Sequence, residues 1–65
     1  MNIIRDAVGR TICMTDPNTG EINIKYRQIE IIMKLSPGDW IEVKREGITT
    51  TLIQQEKSLH IIKNK

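Results

Sequence analysis

The chain has no phenylalanine, one cysteine, two prolines and four glycines, and its only aromatic residues are one tryptophan and one tyrosine. Each scarcity removes a class of protein. Cys13 cannot form an internal disulfide, and with His60 it falls short of the four ligands of a structural zinc site, so no metal or other cofactor is expected. No stretch approaches the roughly 20 apolar residues of a membrane span, so no membrane partner is expected. The segment Met1-Asn2-Ile3-Ile4-Arg5-Asp6 lacks the apolar run of a signal peptide, and together with a free thiol this points to the cytoplasm. The net charge of +2, with cations and anions interleaved, is too small to demand a polyanionic partner. No catalytic, metal-binding or phosphate-binding motif is present, and an enzyme is not expected.

What remains is a chain rich in isoleucine, a residue stiff at χ1 that suits a pleated sheet. From Gln28 to Gln55 apolar and polar residues alternate around Ser36-Pro37-Gly38-Asp39, the pattern of strands with one wet face. Ile29, Ile31, Met33 and Leu35 share one face before that turn and Ile41 and Val43 share one after it. These are the expected enclosed positions. Asp16-Pro17-Asn18-Thr19-Gly20 is the strongest local signal, because each residue has a turn role, and it predicts a type I turn closed by a glycine bulge. It joins a first strand, Val8 to Thr15, to a second beginning at Glu21. Between Tyr26 and Ile29 the inward phase slips, yet Arg27-Gln28 offers no Gly, Asn or Asp for a two-residue turn, so one bent strand is expected there. A helix over this segment would strand Ile31 and Leu35 on its far side, which favours strand. A glycine turn at Arg45-Glu46-Gly47 predicts a second hairpin, and Leu59 to Ile62 reads as a last short strand. Residues 1–7 fit no single element, with Ile3 and Ile4 suited to packing against a barrel end or a neighbouring chain. The expected fold class is all-β: one domain over residues 1–65, a five- to six-stranded antiparallel barrel or strongly bent meander.

A chain this short buries only about 60% of the surface that it exposes when unfolded. Without a staple, the usual remedy is a homo-oligomer or a protein partner. Trp40 falls in phase with Glu42 and Lys44 on the wet side, and Ile32 is also out of phase. Both are candidates for a protein interface, since tryptophan dominates binding hot spots. Trp40 capping an open barrel end is the plainer reading. Lys25, Arg27 and Arg45 are nucleic-acid candidates if the fold gathers them, with Arg10 and Lys63 as further cations and Tyr26 and Trp40 as the only stacking platforms. Otherwise they belong to a solvated charged face. His60 reads as a surface residue and Cys13 as a small packed one.

From Gly20 to about Gln54 the chain resembles the swapped-hairpin DNA-binding domains of the AbrB and MazE type. Gly20-Glu21-Ile22-Asn23-Ile24 stands in the place of the family's Gly-Arg-hydrophobic-x-Ile segment, and Pro37-Gly38-Asp39-Trp40-Ile41-Glu42-Val43 is similar to its Pro-Gly-Asp turn and following strand. Ile29, Met33 and Leu35 fall at its apolar helix positions. Glu21 replaces the usual arginine and Lys25 the usual proline. The resemblance implies an intertwined dimer, a transcriptional regulator or antitoxin, with DNA contacts near Lys25 and Arg27. Taken alone, composition and periodicity favour a non-enzymatic binding or assembly module that self-associates or docks on a protein partner through Trp40 and Ile32.

Overall fold

The computed structural model describes residues 1–64 and contains seven antiparallel strands, with no helix among the described residues. Strands β1 (Asn2–Arg5), β2 (Thr11–Asp16), β3 (Glu21–Tyr26) and β4 (Ile29–Lys34) form one four-stranded meander. Strands β5 (Trp40–Arg45), β6 (Ile48–Gln54) and β7 (Leu59–Asn64) form a second sheet of three. Among the described residues no ladder joins the two sheets, so an open two-layer arrangement of these seven strands replaces the expected five- to six-stranded barrel. The smallest dimension is 16 Å, which allows two sheets about 10 Å apart and no third layer.

The core is shared by both layers. Ile4, Ile12, Cys13 and Ile22 of the larger sheet meet Leu52 of the smaller, with Ile24, Met33, Leu35, Ile41, Val43, Leu59 and Ile61 around them. The β1–β2 ladder pairs Ile4 with Cys13 and Arg5 with Thr11, leaving Ile12 as the extra residue of a bulge. That bulge buries Ile12 and Cys13 together. It also turns Cys13 and Thr15 inward, where their ladder partners Ile4 and Ile22 are buried too. Val8 lies outside the strand, in the turn before it, and is exposed.

The turn at residues 17–20 forms as the sequence predicts: Thr19 and Gly20 both donate backbone N–H groups to the Asp16 carbonyl, and Gly20 sits at φ +81°. The single bent strand does not form. Tyr26 pairs with Ile29, making Arg27-Gln28 a two-residue hairpin turn with Arg27 at φ +57°. Six paired residues on each side hold the turn against the steric cost of a left-handed arginine, about 1–2 kcal/mol. Glu46 (φ +50°) and Gly47 (φ +79°) close β5–β6 in the sign pattern of a type I′ turn, the hairpin that the sequence predicts.

Strand β4 is where enclosure fails. Ile29 and Ile31 share a face with Met33, which packs on the core, but both are exposed, because the smaller sheet does not roof the β3–β4 tip. The remaining cross-ties are polar. Buried Gln54 donates from Nε2 to the Pro17 and Gln55 carbonyls (2.8 Å each), linking β6 to the β2–β3 turn of the other sheet.

Candidate nucleic-acid interface

At one end of the two layers, where β2 begins and β3 and β5 finish, the sheets part and leave a cleft of about 410 Å³. Its apolar floor is Ile12, Ile24 and Val43, and Lys25, Arg27, Lys44 and Arg45 border it, Lys25 and Lys44 from positions that alternate towards the outer faces of their strands. All three sequence-level candidates for nucleic-acid contact therefore meet at one place, with Lys44 joining them. Tyr26 stands among them, 63% exposed, with the Arg27 guanidinium 5.3 Å from its ring centroid. A guanidinium stacked on an aromatic ring presents flat, polarised surfaces to solvent.

The charges around this end are anchored by hydrogen bonds. Arg45 Nη1 donates to the Thr11 carbonyl (3.3 Å), tying β5 to β2 across the layers. Arg10 donates from Nε to Asp6 Oδ2 (3.0 Å), from Nη1 to Glu46 Oε2, and from Nη2 to the Arg45 carbonyl (3.1 Å). Asp6 in turn accepts the backbone N–H groups of Arg10 (2.9 Å) and Val8 (3.1 Å). Burial pushes the Asp6 carboxyl up, but those two N–H groups and the guanidinium outweigh it and hold it below the usual carboxylate range. Arg5 Nη1 donates to Thr11 Oγ1 (3.0 Å), and Lys25 Nζ lies 3.7 Å from Glu30 Oε2. Arg5, Arg10, Lys25, Arg27, Lys44 and Arg45 thus gather at this end, where the ion pairs among the described residues are those of Arg10 with Asp6 and Glu46 and of Lys25 with Glu30. A positive end on a nearly balanced protein focuses the field on the cleft. The Asp6–Arg10–Glu46 network was not visible in the sequence: Asp6 to Gly9 has turn chemistry, but the reach of Arg10 to Glu46 depends on how the sheets stack.

The protein-interface candidates sit elsewhere. Trp40 is 60% exposed and lies across the ladder from Ile53, which pairs with His60, on the outward face of the smaller sheet. Ile32 is 63% exposed on the outward face of the larger sheet, opposite Asn23. Neither sheet face carries both. Cys13 is buried, which pushes its thiol up to about 11, so it stays protonated at neutral pH and is a poor nucleophile. Among the described residues no three His, Cys, Asp or Glu side chains gather as metal ligands, and no helix is long and apolar enough to cross a membrane. Comparison of the chain with family models, with curated proteins and with solved structures gives no match.

Proposed function

We propose that this chain is a non-enzymatic nucleic-acid-binding module that holds a single strand in the cleft between its sheets. One observation carries the reading: four cations on two separate chain segments, Lys25 and Arg27 on one and Lys44 and Arg45 on the other, border one cleft with an exposed tyrosine. Cations held apart around a groove track a phosphate backbone. A base stacked on Tyr26 or on the Arg27 guanidinium adds sequence-tolerant affinity of about 1–3 kcal/mol. The apolar floor favours an unpaired base over a duplex.

Fluorescence anisotropy with a labelled single strand, its duplex counterpart and a series of salt concentrations tests this. If all four cations reach phosphates, log K should fall against log salt with a slope near −3 for the single strand, and Lys44→Ala should flatten it by about 0.7. Absence of binding at low salt, or binding insensitive to salt, overturns the proposal. A preference for duplex shifts the assignment to a dimeric DNA-binding regulator or antitoxin, the function implied by the swapped-hairpin resemblance. The exposed Trp40 supports a second reading, docking on a protein partner. Its test is whether Trp40→Ala abolishes capture of a protein from nuclease-treated extract.

A further inference from the structure

Among the described residues, strand β4 is hydrogen-bonded on one side only, to β3. It has apolar residues exposed on both faces, Ile29 and Ile31 on one and Ile32 on the other. It carries no proline and no bulge, the usual protections of a free edge. The backbone phase of that edge follows from the pairing with β3. Leu35 N–H donates to the Gly20 carbonyl (2.8 Å), so in an antiparallel ladder the odd residues of β4 point their backbone groups at β3. The N–H and C=O groups of Glu30, Ile32 and Lys34 therefore point to the open side.

The sequence along that side is self-complementary. Glu30 and Lys34 lie two residues to either side of Ile32, so an antiparallel copy centred on Ile32 sets Glu30 against Lys34 of the other chain, twice. Centring on Glu30 or Lys34 instead brings like charges together, and centring on Ile31 or Met33 leaves both charges facing uncharged residues. The charges behind the edge continue the pattern. Lys25 pairs with Glu30 and Glu21 with Lys34 within one chain, so each outer row across the junction would alternate in sign over four strands. Between these rows, Ile3, Met14, Asn23 and Ile32 already form one transverse row, which a second copy would extend unbroken.

We propose that β4 pairs antiparallel with β4 of a second copy of this chain about a two-fold axis through Ile32, giving one eight-stranded sheet. Such a contact is isologous and closes on itself, which makes it a dimer and not a fibre. The pairing rests on the edge alone and stands or falls separately from the nucleic-acid reading.

Sedimentation equilibrium and native mass measurement on the full chain should show a dimer. Glu30→Lys and Lys34→Glu, each alone, set like charges together at both symmetric positions and should weaken dimerisation by roughly tenfold. The two changes together should restore it, although they keep the repulsion with Lys25 and Glu21 inside each chain. Recovery of association without recovery of stability is a result that a purely structural role does not give. Ile32→Cys should cross-link on oxidation, because residues facing each other at a hydrogen-bonded antiparallel site have Cα atoms about 5.5 Å apart, within disulfide range. A monomer at every soluble concentration overturns the proposal. So does a dimer indifferent to both single reversals, or one in which oxidised Ile32→Cys fails to cross-link.

Discussion

Thr50 occupies the middle of β6, between Val43 and Lys63 on its neighbours, and is completely buried with a hydroxyl that has no hydrogen-bond partner. Thr15 on β2, 1% exposed, is in the same condition. An unpaired buried polar group costs about 1–3 kcal/mol, and a methyl in its place adds about 0.8 kcal/mol of apolar burial. Thr50→Val should therefore stabilise the fold by at least about 1 kcal/mol. That is a large fraction for a domain of this length, whose total stability is expected to be about 3–10 kcal/mol. At about 4–8 °C per kcal/mol for small domains, the thermal midpoint should rise by 4 °C or more. Urea denaturation followed by far-ultraviolet circular dichroism should show a higher midpoint with an unchanged slope. A midpoint that stays put or falls would mean that the hydroxyl has a partner inside the protein, such as a bound water, and that the two-layer core is packed differently at β6.

Gly20→Ala should be among the most damaging single changes, because φ +81° disfavours any Cβ and the new atom would overlap the Leu35 carbonyl oxygen. A loss of more than about 2 kcal/mol in urea denaturation is expected, and a loss below 1 kcal/mol would show that the β2–β3 turn is not held against the end of β4. Arg27→Gly should leave stability within about 1 kcal/mol of the parent, since relief of a left-handed arginine is offset by the entropy of glycine when unfolded and by loss of the Tyr26 stack. The same variant should bind single strands more weakly in the anisotropy assay, and unchanged affinity would remove Arg27 from the cleft's ligand contacts. The thiol of Cys13 ionises more readily when unfolded than when buried, so the unfolded state sheds its proton first as pH rises. Stability present at neutral pH should decline from about pH 9 to about 11, and Cys13→Ala should lose that part of the decline in thermal scans. Identical profiles for the two proteins would show that the thiol is not desolvated.

The all-β character and both glycine-closed turns were legible because each depends on a few adjacent residues: Gly20 and Gly47, which lack a Cβ, supply the positive φ at which each turn closes. The β3–β4 hairpin was hidden for the opposite reason. Arg27-Gln28 has no turn chemistry, and what fixes it is a six-residue ladder whose strength lies in pairs such as Ile22 with Met33 and Ile24 with Ile31. Strand β1 leaves little trace in the sequence because Asn2–Arg5 is only four residues long and just one of them, Ile4, is buried. The bulge at Ile12 lets two adjacent residues, Ile12 and Cys13, both be buried, which alternation alone cannot register. Of the candidate site, the charges of Lys25, Arg27 and Arg45 were readable, but their convergence depends on two sheets meeting at one end.

The most direct test of the cleft is a two-dimensional NMR titration of the isotopically labelled protein with a short single-stranded oligonucleotide. Amide shifts should concentrate at residues 11–12, 24–27 and 43–45, while Trp40, Ile53 and His60 stay still. Shifts centred on those last three residues, or spread evenly over both sheets, would contradict the account.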